Sequence, residues 1–473
     1  MSPHLPSLAA LLLAGLSAVA PAAPPAPALA VPAVAVACPG SEAAHAGGIP
    51  ADDDAALVAD LAARAVPLAS LDPAAGDFAD LEPLAAVLAG VDVVHLAEAS
   101  HGDGSAFLVR RRLLRFLNER LGFDVLAWES GMNDLAVVEA LLHGDQSPAQ
   151  IAHSRIARPW ALSTEALGVF EDARRTHGTT RPLEMAGFDV QVGSLPDTLV
   201  LGQRMAELFA LCAPDRLDDE QRALLEDLTS AAMDLQRHGE DGRRALLQRF
   251  DDVVASWDGA AHELSSRLGA REHALLGRSL WSFGRFLHFI AETMARGGFQ
   301  RVADNTPRDV GMGSNLVWLA DEHFGGRRLA TWVATFHAAR GLPTLQDSPI
   351  DYSDLITMGD VVWQELGERS YTLAITCYEG RTGVPASLTG AGEPMDVEPA
   401  PIGSLEELCH RTGLGDLFLD LRGLPDDHPL REPRVARVMG HSPLTARWPE
   451  HIDGLLVLER MQASTLAEDA EGW

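Results

Sequence analysis

The stretch from Val91 to Ser130, VDVVHLAEASHGDGSAFLVRRRLLRFLNERLGFDVLAWES, constrains the fold more than any other part of the chain. It reads as strand, polar loop, helix, strand. Val91 to Ala97 is short and almost wholly apolar, the pattern of a strand buried on both faces of a parallel sheet. It runs directly into Glu98, Ser100, His101 and Gly102. In the helix that follows, Phe107, Leu114, Leu117 and Leu121 form an apolar stripe, with Leu113 beside it. Arg110 falls in the middle of that stripe, whereas Arg111, Arg112 and Arg115 take other faces and are expected to meet solvent. A guanidinium aimed at the core is costly unless a carboxylate or a bound anion meets it. The second strand, Phe123 to Trp128, delivers Glu129 at its carboxyl end. Ligands of open parallel sheets sit beyond the carboxyl ends of the strands. Glu98, His101, Arg110 and Glu129 therefore mark a candidate site.

The remaining chain extends the same architecture. An opening helix is expected from Asp52 to Ala65, another near Asn133 to His143, and a third from Ser163 to about Thr176. A loop leads to Pro159-Trp160. Leu183 to Phe188 reads as a strand that ends on Asp189, which either caps a turn or joins the site. From residue 196 to 297 strand patterns give way to long amphipathic segments, expected as three or four helices that form a lid or wall. A helix carrying Asp309, Met312, Asn315 and Trp318 follows. The strand Arg328 to Ala334 then leads to His337. Tyr371 to Cys377, Asp416 to Leu421 and Leu455 to Leu458 are further strands. Gly380 to Pro401 reads as a long surface loop, and residues 463–473 as a frayed acidic tail. The pattern predicts an α/β fold over residues 51–462, with a mostly parallel central sheet flanked by helices and a helical insertion.

Composition narrows the partners. The formal net charge is -30, from 67 acidic against 37 basic residues, which disfavours nucleic acid and anionic membrane surfaces. Every basic side chain apart from histidine is Arg. The absence of Lys excludes a Schiff-base lysine and a Walker-A phosphate loop. Residues 1–22 read as a signal peptide, with an apolar stretch from Leu8 to Ala20 and small residues for cleavage, so a secreted or periplasmic protein is expected. That stretch is too short for a comfortable membrane span. A flexible Pro/Ala-rich lead-in, residues 23–50, follows. The four cysteines match no zinc motif and are expected as buried free thiols.

Four strand ends carrying Glu98/His101, Glu129, Asp189 and His337 converge if the sheet is mainly parallel. Two imidazoles, several carboxylates and Arg110 suit attack of water on a carbonyl. The chain holds no G-x-S-x-G elbow, no H-E-x-x-H and no G-x-G-x-x-G after a strand, so hydrolysis without a covalent nucleophile or a cofactor is the leading reading. The same imidazoles and carboxylates also form a ligand set for zinc or manganese, which leaves a metal-dependent hydrolase as the alternative. His95, inside the first strand, reads as a core histidine. Trp160 reads as packing or pocket wall.

Glu98-Ala99-Ser100-His101-Gly102, followed by Arg110 and Glu129, resembles the opening motif of the erythromycin esterase family. The resemblance continues through Gly187-Phe188-Asp189-Val190-Gln191, through Arg308-Asp309, Met312, Asn315 and Trp318, and through Trp332 to Arg340. It implies hydrolysis of a carboxylic ester or lactone, with His101 as the general base and Glu98, Arg110, Glu129 and His337 lining the same cleft. On this reading Arg110 and His337 stabilise the oxyanion, and Asp189, Trp160 and Asn315 contact a small-molecule substrate. The chain departs from the family where the macrolide enzymes carry H-N-x-H, which here reads Ala334-Thr335-Phe336-His337. Ser105 stands where a Glu is expected. These departures weigh against macrolide cleavage itself, and they also leave room for a binding protein on a decayed esterase scaffold.

Overall fold

A computed structural model describes residues 54–467, apart from 194, 347, 349 and 384–392. The expected signal peptide and Pro/Ala-rich lead-in lie outside the described residues. Eleven strands are described: β1 Val66–Pro67, β2 Val93–Glu98, β3 Phe123–Gly131, β4 Glu184–Asp189, β5 Arg328–Ala334, β6 Ser370–Thr382, β7 Met395–Val397, β8 Leu417–Asp420, β9 Arg434–Ala436, β10 Leu444–Ala446 and β11 Gly454–Met461. Nine of these form one sheet in the order β1-β8-β11-β6-β2-β5-β3-β4, with β7 folded back along β6, while β9 and β10 pair separately. Pairing is parallel from β11 through β6, β2, β5 and β3 to β4, and antiparallel only around β1, β8 and β7. The fold is α/β, with a mostly parallel sheet between helices.

The order of the strands gathers the site. β2, β5, β3 and β4 are neighbours, so Glu98, Ala334, Glu129 and Asp189 come to one end of the sheet. Apolar side chains hold that part of the sheet in register. Trp128 of β3 pairs with Trp332 of β5 in the ladder, and the two indoles stack at 4.9 Å. Phe107 and Phe170, from the helices Gly104–Phe116 and Thr164–Thr176, pack against these rings at 5.7 Å.

Near its end β3 carries a bulge. Trp128 pairs with Gly187 and Gly131 with Asp189, so β3 uses one more residue than β4 over this interval. A bulge of this kind re-aims a side chain and ends the pairing; here it lies beneath Glu129. The bulge brings the Ser130 and Gly131 carbonyls onto Gly187, where a Cβ would stand 2.5 and 2.3 Å from their oxygens. Glycine is needed at 187 for that approach.

Several expectations need correction. The insertion contains six helices rather than three or four: Leu195–Cys212, Asp219–Glu226, Leu228–Arg237, Glu240–Gly259, Ala261–Leu268 and Ala270–Ala295. Asp227 divides one expected segment by capping the next helix, its carboxylate accepting from the Ser230 amide. The expected helix at Asn133 to His143 is two short ones, Met132–Leu135 and Val138–Leu142. The expected loop from Gly380 begins and ends in strand, because β6 extends to Thr382 and β7 pairs with it. Residues 463–467 are docked rather than frayed: Ala463 bridges to Asp103 and Leu466 to Ser163. Arg112 is 1% exposed and grips Asp80 and the carbonyls of Ser70 and Asp77, and Arg111 and Arg115 are also held by partners. Helix periodicity could not reveal this, because the loop from Pro73 to Asp80 covers that face. Among the described residues no helix is long and apolar enough to cross a membrane.

Gly187→Ala is expected to destabilise the fold by about 1–3 kcal/mol through overpacking of backbone against backbone. Urea denaturation of the two proteins checks this.

Candidate active site

Glu98, the last residue of β2, is fully buried. One carboxylate oxygen lies 2.8 Å from His101 Nδ1 and accepts the Trp160 indole N–H at 2.8 Å. The other is ion-paired with Arg110. Arg110 is fully buried too, its guanidinium lying 3.8 Å from the centre of the Trp332 ring. The helix Gly104–Phe116 thus turns Arg110 inward, as its place in the stripe implies, and the carboxylate that meets it is Glu98. Indole and guanidinium are donors only, so Glu98 presents acceptor oxygens to all its partners. His101 Nδ1 then carries the hydrogen that bonds Glu98, and Nε2 is left as the outward lone pair. The His101 side chain is 36% exposed, against 0% for Glu98. Trp160 meets the His101 ring edge-on at 5.0 Å. Burial lowers the pKa of His101 below its ordinary value; the Glu129 charge opposes this, while His337 and Arg308 add to it. The neutral imidazole is therefore favoured.

A second charged cluster is built on Arg308 and His337. Arg308 forks onto Asp189, with Nε 3.1 Å from one oxygen and Nη2 2.6 Å from the other. The same Nη2 donates to Glu129 at 3.2 Å. Glu129 also accepts the Ala334 amide at 2.9 Å, and its other oxygen lies 3.3 Å from His337 Nε2. His337 Nδ1 lies 2.7 Å from Asp309, whose carboxylate also accepts the Met358 amide at 3.0 Å. Burial alone would lower the His337 pKa, but Asp309 and Glu129 raise it to about 10 against the opposing charge of Arg308. Burial likewise works against ionisation of Glu129, yet His337, His101 and Arg308 hold its carboxyl well below the usual range. One imidazole is favoured as neutral and the other as cationic. Environments that drive two titratable groups apart in this way are a mark of functional sites.

The loop that carries His101 is clamped from behind. Asp103 accepts the Ser100 amide at 3.0 Å, the Thr382 hydroxyl at 2.7 Å and His441 Nε2 at 2.9 Å. The Ala99 carbonyl takes the Gly440 amide and the Gly102 carbonyl takes the Ser464 amide. His441 holds a left-handed φ of 54° to reach Asp103. Burial alone would lower its pKa, but Asp103 raises it to about 10.

Sequence pattern alone does not single out Arg308, Asp309, Asp103 or His441 for roles in the site. Arg308 and Asp309 stand in the first turn of the helix Thr306–Trp318, and only the resemblance drew notice to them. The Gly440-His441 turn carries no signal in the chain itself. Asn315 is placed differently from the other expected contacts. It is fully buried, and its amide donates to the Phe188 carbonyl and Ser282 while accepting from Arg278. Asn315 thus ties the insertion to β4 and is not brought into the cleft. His95 is buried, its ring 3.0 Å from the Thr331 hydroxyl. Cys212, Cys377 and Cys409 are free thiols, and Cys38 lies outside the described residues.

Histidines and carboxylates gathered at one sheet end, together with the family match that follows, mark a hydrolase. The erythromycin esterase family profile matches residues 118–461, and the chain belongs to that family. YbfO of Bacillus subtilis (strain 168) is 23% identical over 425 residues, covering 84% of this chain and 90% of that protein. Erythromycin esterase type II of Escherichia coli is 22% identical over 370 residues, covering 74% and 85%. Among solved structures, a Bacillus cereus protein superposes with a TM-score of 0.70 at 18% identity, covering 87% of this chain and 99% of its own. A mutant of the erythromycin esterase EreC in its open conformation does so with 0.65 at 16%, covering 85% and 98%.

Removing His441 leaves Asp103 buried beside the loop without its cation, so His441→Leu is expected to cost about 3 kcal/mol at pH 6. A raised folded pKa stabilises fully below the unfolded value of about 6.5 and is lost as pH rises toward 10. Denaturation at pH 6 and pH 10 should show the gap between wild type and variant closing at the higher pH.

Proposed function

We propose that the protein hydrolyses a carboxylic ester or lactone by direct attack of water. The observation that carries this reading is the bonding of Glu98. It fixes the His101 tautomer and leaves Nε2 facing the cleft, where it removes a proton from water as that water attacks the carbonyl. Arg110 and Trp160 hold Glu98 and do not reach substrate. Arg308 and His337 take the place expected for Arg110 and His337: two cations fixed by Asp189, Glu129 and Asp309, available to the oxyanion that forms. Direct water attack is favoured over a serine intermediate because the Ser100 hydroxyl already accepts from the Gly102 amide and bonds the Thr382 hydroxyl. The name of the Escherichia coli relative supports the ester class. Ala334, in place of the first histidine of the macrolide enzymes, favours an ester other than a macrolide. Export through the Leu8 to Ala20 stretch would have the enzyme meet its substrate outside the cytoplasm.

The metal-dependent alternative fits this cluster less well. A divalent cation here would stand beside two guanidinium groups that already occupy Glu98, Glu129 and Asp189.

A panel of simple esters and macrocyclic lactones, assayed with wild type and His101→Ala, tests the reading. Turnover is expected to fall 10²–10⁴-fold in the variant while circular dichroism stays unchanged; retained turnover would sink the proposal. The pH profile provides a second check. Activity should rise through an acid limb below about pH 6.5, as His101 becomes neutral. It should fall again near pH 10, as His337 loses its charge. A profile still rising at pH 11 removes His337 from the mechanism.

A further inference from the structure

Glu139, His143 and His177 converge on the surface, away from the catalytic groups. Glu139 and His143 lie one turn apart at the short helix Val138–Leu142, whose C-cap is His143. His177 is the C-cap of the helix Thr164–Thr176, ahead of β4 and therefore toward the amino ends of the strands. The His143 Nε2 and His177 Nδ1 atoms both approach the same Glu139 oxygen, at 3.3 and 3.2 Å. All three donor atoms fall within 4.8 Å of one another. Ligands about 2.0–2.1 Å from a tetrahedral zinc stand roughly 3.3 Å apart, which matches both measured edges.

The elements beneath are tied to one another. Arg174 donates to the Leu142 and Gln146 carbonyls, which locks the end of one helix onto the other. Leu141, Leu142, Ala173 and Thr176 are buried. The three side chains therefore project from fixed backbone, and little order remains to be imposed when they close on an ion. Two imidazoles and one carboxylate suit zinc and its first-row neighbours rather than calcium or magnesium, which take oxygen ligands. Glu139 is 47% exposed, His143 46% and His177 34%, so the remaining coordination positions open to water.

We propose that Glu139, His143 and His177 form a divalent transition-metal site of the zinc class. A bound ion would fasten the segment that follows β3 to the end of the helix that leads into β4. It is structural, and distinct from the hydrolytic cleft.

The test is zinc uptake by tag-free protein, stripped with chelator and titrated with Zn²⁺ by calorimetry at pH 7.5. Wild type and His101→Ala should each bind one equivalent that the double variant His143→Ala/His177→Ala lacks. Glu139→Gln should weaken that binding at least tenfold. With Co²⁺ in place of zinc, wild type should show the visible absorption of a tetrahedral or five-coordinate ion, and the double variant should not. These side chains are exposed, so the variants are expected to fold; a thermal melt without metal checks this. Absence of zinc uptake by wild type at 100-fold molar excess overturns the proposal. So does uptake that is unchanged in the double variant, which would place the ion elsewhere.

Discussion

The site depends on a buried carboxylate that is never left alone. Glu98 sits at the end of a central strand with no exposed surface. An isolated ionised group there would cost several kcal/mol, a large share of a domain's net stability. Arg110, Trp160 and His101 supply the compensating bonds, and each is itself fixed by something else. Arg110 lies across the Trp332 face, Trp160 packs on His101, and His101 rides on a loop clamped through Asp103. The stacked Trp128 and Trp332 are thus more than core: they form the surface on which the charged cluster rests.

From this constraint follows a division of labour between the imidazoles. Both are close to carboxylates, yet they are driven in opposite directions. His101 is bonded to Glu98, a carboxylate already occupied by a guanidinium and an indole, so it gains little from becoming cationic and burial prevails. His337 lies between Asp309 and Glu129, and their combined charge overcomes burial even with Arg308 beside it. Arg308 is what keeps this acidic corner balanced, since it neutralises Asp189 and shares Glu129. A neutral imidazole thus stands on one side of the cluster and fixed cations on the other.

What the chain revealed in advance follows from what local pattern can encode. β2, β3, β4 and β5 were legible because each is a short apolar run ending in polar residues, and β5 matches its expected bounds, Arg328–Ala334. Arg110 was legible as an inward charge because helical spacing fixes direction, but spacing says nothing of which carboxylate it meets. Arg112 shows the same limit from the other side: its face of the helix is covered by a loop that only tertiary folding brings there. Arg308 and Asp309 are adjacent in sequence but serve different partners: Arg308 meets Asp189, 119 residues earlier, and Asp309 meets His337, 28 residues later on another element. The six-helix form of the insertion escaped notice because Asp227 and Ala260 interrupt periodicity that otherwise runs on.

His441 shows how distant parts of the chain shape the loop of His101. It has no place in any strand or helix, yet its ring reaches Asp103, and Asp103 holds the Ser100 amide beside His101. Ser464, near the end of the described chain, bonds the Gly102 carbonyl from another side. The loop bearing His101 is therefore shaped by the carboxyl-terminal part of the fold, although it follows the second strand. A loop held only by its own turn would let the imidazole sample many directions, and the Glu98 bond would have to impose the geometry against that freedom. With the backbone fixed from behind, the Glu98 bond has only to orient a ring that is already in place, so the imidazole direction is set by contacts from several parts of the chain.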